Sequence, residues 1–181
     1  MPQGYCNYSL ENMYTVRRAK DSDQHKILEL YKKVAAIGGG IARTADEITA
    51  SYVQNFMDHS GKTGMELVIE NGDTIIAEIH CYQLSPKVFH HILSELTIVV
   101  DPDFHGKGVG KKIFTYLLDH ITTQRPDILR VELIARESNQ KAIAFYKQLG
   151  FKEEGRFEQR VANQEGFEAD IPMAWFNPRF K

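Results

Sequence analysis

The chain has 181 residues, 43% of them hydrophobic and 25% charged, with a formal net charge of −2. That length suits one domain, 1–181, with a sizeable core. The charge balance and the lack of a Lys/Arg run argue against a nucleic-acid partner, and no apolar stretch has membrane-spanning length.

Taken in chain order, Tyr14–Arg18 reads as a short strand. Asp21-Ser22-Asp23 offers an N-cap, and the stripe Ile27, Leu30, Tyr31, Val34 carries a first helix to about Ala36. Gly38-Gly39-Gly40 stops it and reads as a flexible lid-like connection beside an acceptor site. Thr44-Ala45-Asp46-Glu47 is a capping box for a second helix with Ile48, Tyr52 and Phe56 on one side. Met65–Glu70 and Thr74–Tyr82 read as strands joined at Asn71-Gly72, and a third long strand ends at Val100. Val109, Ile113, Tyr116, Leu117 and Ile121 recur at helical spacing. Ile128–Ala135 is another strand, Asn139–Leu149 a helix closed by Gly150, and Arg156–Val161 with Phe167–Trp175 a final hairpin around Asn163–Gly166. The order β-α-α-β-β-β-α-β-α-β-β, with a crossover between hairpins, predicts a mixed α/β sheet flanked by helices.

Chemistry concentrates after the third long strand. The run Val100-Asp101-Pro102-Asp103-Phe104-His105-Gly106-Lys107-Gly108-Val109-Gly110-Lys111 joins a strand to a helix through alternating glycines. Small residues let backbone N–H groups converge, and a new helix adds its free N–H groups and positive dipole end. The turn suits a phosphate or pyrophosphate. A dinucleotide-binding turn needs a third glycine where Lys111 stands, and no frame supplies a P-loop. A glycine-tolerant helix cap is the other reading of this turn alone.

The turn resembles the Q/R-x-x-G-x-G/A turn of the GNAT superfamily of acyl-CoA N-acyltransferases, with His105 where Gln or Arg is usual. A second stretch, Asn139-Gln140-Lys141-Ala142 through Tyr146 to Gly150-Phe151, matches that superfamily's N-x-x-A-x-x-x-Y-x-x-x-G-F motif, and the element order is the superfamily's own. The resemblance implies a GNAT-like sheet and acetyl-CoA as co-substrate without a metal. It puts the pyrophosphate on His105, Gly106, Lys107, Gly108, Val109, Gly110 and Lys111. The pantetheine arm falls to Asn139 and Ala142, the thioester carbonyl to backbone amides near Ile98 and Val100, and the leaving thiolate's proton to Tyr146.

The segment Glu95-Leu96-Thr97-Ile98-Val99-Val100 resembles the E-x-T-V-x-V segment of phosphinothricin-type acetyltransferases, which implies Glu95 as base. Strict alternation sets Glu95 on the face opposite Ile98 and Val100; a β-bulge would bring it round. An exposed strand carboxylate is the plain alternative, and Glu78, His80 and Glu132 are further candidates. The expected acceptor is a primary amine on a small or amino-acid-like molecule. A protein or peptide N-terminus, or a non-catalytic acyl-CoA-binding module, are the alternatives. Two cysteines, Cys6 and Cys81, make neither a disulfide framework nor metal spacing, the histidines show no H-x-x-x-H pair, and Met1–Leu10 lacks a leader pattern, so a cytoplasmic chain without metal is expected. Phe157, Phe167, Trp175 and Phe176 in the last hairpin suit a homodimer interface or a core equally well.

Overall fold

The computed structural model describes residues 14–37, 40–163 and 166–181. Cys6, Gly38 and Gly39, and the Gln164-Glu165 tip of the last hairpin lie outside them. The elements are β1 Val16–Arg18, α1 Gln24–Ile37, α2 Ala50–Thr63, β2 Gly64–Asn71, β3 Thr74–Tyr82, β4 Ile92–Val100, α3 Val109–Gln124, β5 Arg130–Arg136, α4 Gln140–Gln148, β6 Lys152–Glu153, β7 Phe157–Asn163 and β8 Gly166–Phe176. They form one eight-stranded sheet in the order β1-β2-β3-β4-β5-β8-β6, with β7 also on β8. This is the mixed α/β architecture expected, with β6 added; two residues are too short to show a periodicity.

The sheet has two apolar faces because β2, β3 and β4 are covered on both sides. Leu67, Ile69, Ile79 and Leu93 pack under Ile113, Phe114, Leu117 and Ile121 of α3. Val68, Ile75 and Val99 pack under Ile27, Leu30, Tyr31 and Val34 of α1 and Val53 and Phe56 of α2. Tyr116 falls beside the α3 stripe and is exposed, against expectation; its neighbours Phe114 and Leu118 take the buried positions. Phe157, Phe167 and Phe176 are exposed, while Trp175 packs on the core. The Thr44–Glu47 box forms as read, with Glu47 accepting from the Thr44 N–H at 2.8 Å. It caps only a short turn, however, and α2 begins later, where Thr49 accepts from the Tyr52 N–H at 3.1 Å.

All strand pairings are antiparallel except β4 with β5, which is parallel and spans only Ile92↔Arg130 and Leu93↔Val131. Beyond Leu93 no ladder joins the two strands, and they part. At that end Lys33 of α1 holds the chain leaving β4, through Asp101 at 2.7 and 2.8 Å and Asp103 at 2.7 Å.

Two acids are buried under α1 and α2, Glu66 of β2 and Glu78 of β3. Glu66 Oε1 has no hydrogen-bond partner among the described residues. Burial, then the charge of Glu78, pushes the Glu66 carboxyl up from 4.5 to about 9. Between those values the folded chain keeps a proton that the unfolded chain has lost, so stability falls as pH rises through the window, and the penalty vanishes below pH 4.5. Glu66→Gln keeps the shape and removes the titration. Urea midpoints should fall with rising pH in the parent and fall less in the variant, which should be the more stable of the two near pH 8. Parallel slopes would mean that Glu66 is ionised in the folded state.

Candidate active site

The parting of β4 and β5 opens a cleft of about 710 Å³ that passes through the sheet. Its α4 side is lined by Asn139, Ala142 and Tyr146; its α2 side by Tyr52, Phe56, His80, Tyr82 and Glu95. Leu96, Thr97 and Ile98 of β4 run along the wall between them.

The orientation of the β4 backbone follows from one hydrogen bond. Asp101 N–H donates to Ile76 O in β3 at 2.8 Å. Successive strand N–H groups alternate in direction, so those of Val99 and Thr97 also point to β3. Those of Ile98 and Val100 point the other way, into the gap that β5 has left. Two donors thus face the gap with no strand partner among the described residues.

Glu95 lies at a bulge. His80 is opposite Thr97 and Tyr82 opposite Ser94, so β4 uses one residue more than β3 over this step, and Glu95 takes φ +53°. A non-glycine residue in this region costs of order 1 kcal/mol or more and is held only by its surroundings. The bulge resets the alternation that would have aligned Glu95 with Thr97 and Val99. The carboxylate stands exposed at the cleft, among Tyr52 and Tyr82. Burial raises both phenols; the Arg43 guanidinium, 4.2 Å over the Tyr52 ring, opposes the rise, and the charge of Glu95 adds to it.

At the glycine turn, Gly106 and Gly108 adopt φ +73° and +77°. A Cβ on either would meet nothing within 4 Å, so the surface above them is open to a ligand. The N–H groups of Gly106, Gly108, Val109, Gly110 and Lys111 find no backbone acceptor among the described residues. Lys111 is exposed beside them, and Lys107 sits over the Phe104 ring at 4.8 Å. His105 is occupied internally: its N–H donates to Pro102 O, and its Nε2 donates to the free Val100 O at 3.0 Å.

On α4, Asn139 precedes the helix instead of lying within it. Its Oδ1 caps the Ala142 N–H at 3.1 Å, leaving the Nδ2 donors toward the cleft. Tyr146 packs against Phe114, Phe145 and Phe151, and its hydroxyl has no hydrogen-bond partner among the described residues. Burial pushes this phenol up to about 12. Of the other candidates, Glu132 lines the cleft but is paired with Arg130 at 3.0 Å, and Glu78 is wholly buried. The aromatic wall of Tyr52, Phe56 and Tyr82 was not foreseen as part of the site, because residues at helical or strand spacing read as core. Cys81 is a core thiol, raised to about 12 by burial. Among the described residues no group of three His, Cys, Asp or Glu is gathered to hold a metal, and no helix is long and apolar enough to cross a membrane.

Residues 25–151, which include the glycine turn, the split between β4 and β5 and the Tyr146 phenol, match the Acetyltransferase (GNAT) family. The chain belongs to that family. It is 36% identical over 86 residues to the [ribosomal protein bS18]-alanine N-acetyltransferase of Salmonella typhimurium, covering 46% of this chain and 57% of that one. The chain spans 57% and 64% of the lengths of the first curated relatives it matches. Among solved structures it is similar to a putative acetyltransferase from Salmonella typhimurium with its cofactor acetyl-CoA, at TM-score 0.79 and 19% identity, covering 91% of this chain and 94% of the other. A putative phosphinothricin N-acetyltransferase aligns at TM-score 0.76 and 17% identity, covering 90% and 98%.

The turn yields a prediction in which folding and binding separate. Asp tolerates a left-handed backbone better than most residues, and the space over Gly108 is open. Gly108→Asp should therefore stay folded, with a melting temperature near the parent's. Its charge should abolish the stabilisation that coenzyme A gives the parent in a thermal-shift assay. A parent stabilised by ATP or NAD but not by coenzyme A would mean that the cradle takes another phosphate.

Proposed function

We propose that this chain is an acetyl-CoA-dependent N-acetyltransferase acting on a primary amine of a small or amino-acid-like molecule. The observation that carries the reading is the cleft through the sheet. It joins the Tyr146 phenol on the α4 side to the Glu95 carboxylate among aromatic rings on the α2 side, and β4, along its wall, runs on toward the glycine turn. We read residues 1–181 as one domain, and its composition with two cysteines as that of a cytoplasmic protein.

The N–H groups at the glycine turn and the Asn139 amide fit the diphosphate and pantetheine of acetyl-CoA, with Gly106 and Gly108 open to its approach. Bound there, acetyl-CoA supplies a thioester-activated acetyl group. The N–H groups of Ile98 and Val100 face the gap and stabilise negative charge gathering on the acyl oxygen. A lysine-like amine, with pKa about 10.4, arrives as ammonium. Glu95, turned to the α2 side by the bulge, attracts that cation and takes a proton from it, directly or through water. Tyr146 Oη gives its proton to the departing sulfur. At about 12, the Tyr146 phenol keeps its proton well past neutrality, so its ionisation should produce no alkaline loss of activity below about pH 11.

One observation favours a second acceptor class. The Salmonella typhimurium relative acts, by its name, on an alanine of a ribosomal protein, and an α-amino group with pKa about 7.7–8.0 needs less help from a base. A panel of primary amines, amino acids, alcohols and an Ala-initiated peptide, read by free-thiol release and mass spectrometry, separates the readings. Transfer to small amines is expected. Acetylation of the peptide alone would replace the acceptor class, and no transfer from acetyl-CoA to any nitrogen would overturn the proposal. Tyr146→Phe should lower kcat about 10²–10⁴-fold with little change in KM for acetyl-CoA, and wild-type turnover in this variant would remove Tyr146 as the acid. Glu95→Gln should weaken turnover more than acetyl-CoA binding.

A further inference from the structure

The α2 side of the cleft holds a buried polar group that the reaction as written leaves unused. Tyr31 of α1 donates its hydroxyl to Glu78 Oε2 at 2.6 Å. His80 Nδ1 lies 3.1 Å from Glu78 Oε1 and 3.4 Å from Tyr31 Oη. All three side chains are buried, with exposures of 0%, 0% and 3% for Tyr31, Glu78 and His80. Burial, then the Glu78 charge, raises the Tyr31 phenol, so Tyr31 acts as donor. The carboxylate then accepts from His80 Nδ1–H, which leaves Nε2 with its lone pair. The ring is pinned flat on Phe56, at 4.0 Å and 9°. His80 lines the cleft, and no described residue bonds Nε2. In register it stands opposite Thr97, at the edge of the bulge that carries Glu95.

Proton balance leaves a second nitrogen proton to be placed. An acceptor that arrives as ammonium has three N–H bonds, and the amide product keeps one. The nitrogen therefore sheds two protons while the sulfur takes one. Given the acyl transfer proposed above, on which this step rests, we infer that His80 Nε2 takes the second proton and that Glu78, clamped by Tyr31, is its positioning residue. Glu95 takes the first proton and, being exposed, releases it to solvent. As the N–C bond forms and the C–S bond breaks, Nε2 takes the second and Tyr146 Oη protonates the sulfur. The imidazolium proton then returns through cleft water to Tyr146. One proton is released per turnover, and both residues are reset. The carboxylate beside Nδ1 stabilises the imidazolium while it exists.

The titratable and charged groups around the ring are Glu78 and Tyr82 on its own strand, Glu66 across on β2, Tyr31 on α1, Tyr52 on α2 with the Arg43 guanidinium over its ring at 4.2 Å, Glu95 on β4, and His59 stacked on Tyr82. Thr97 and Phe56, its other neighbours, do not titrate.

The test uses the whole chain with an amine that the parent acetylates. His80→Ala should lose about 10²-fold or more in kcat and leave the KM for acetyl-CoA unchanged. Added imidazole should restore turnover, following the pH titration of imidazole, because it can enter the space vacated by the ring. His80→Gln should show the same loss, flatten the acidic limb of the pH–kcat profile, and resist imidazole because its side chain fills that space. Glu78→Gln should move the acidic limb without changing acetyl-CoA binding. Parent-like kcat and acidic limb in His80→Gln, or a folded His80→Ala that is inactive and does not respond to imidazole, would overturn the role of His80. A parent that acetylates no amine would instead remove the proposed function itself.

Discussion

The rest of the molecule depends on the point at which β4 leaves β5. Two register pairs hold the strands together at Ile92 and Leu93, and then the ladder stops in the middle of the sheet. Backbone N–H and C=O groups inside a protein are nearly always paired, so an open ladder at the centre of a sheet stands only where the surroundings enforce it or a ligand completes it. Here the surroundings enforce it. β5 continues along β8 through seven register pairs, while β4 continues along β3 to Val100. Each half-sheet is complete on its far side, and the gap lies between the two. The Lys33 bridge to Asp101 and Asp103 anchors the free end of β4 to α1 and so fixes where the glycine turn begins.

The gap divides the site by chemistry as well as by space. The α4 side offers donors and no buried acids: backbone N–H groups, the Asn139 amide and the Tyr146 hydroxyl. The α2 side concentrates acids and rings, with Glu95 at the opening, Glu66 and Glu78 behind it, and the Arg43 guanidinium over the Tyr52 ring. The strain held at Glu95, φ +53°, serves this division, because an unbulged β4 would carry its side chains past the opening in simple alternation.

Much of this was legible from residue order. The alternating glycines of the turn, the Asn139-to-Tyr146 spacing and the apolar stripes of α1 and α3 are local patterns, set by one element at a time. Where the reading departed from the structure, the cause was non-local. The Thr44–Glu47 box is chemically complete yet caps a turn that ends at Ile48, since α2 waits for Thr49. Tyr116 keeps helical spacing but lies to one side of the face that α3 turns to the sheet. Asn139 serves as cap to the helix on which its spacing had placed it.

By itself the sequence determined the element order, the mixed sheet, the glycine turn and the family, because each rests on short-range spacing that backbone geometry converts directly into structure. Only the tertiary structure decided which groups share a site. The bulge at Glu95 is a difference in count between two strands, visible only when β3 and β4 are laid together. The donors of Ile98 and Val100 lack a strand partner among the described residues because β5 has turned away. The pairing of Tyr31 with Glu78 and His80 spans 47 and 49 residues, and it arises from packing α1 on the sheet, a contact that no periodicity within either segment encodes.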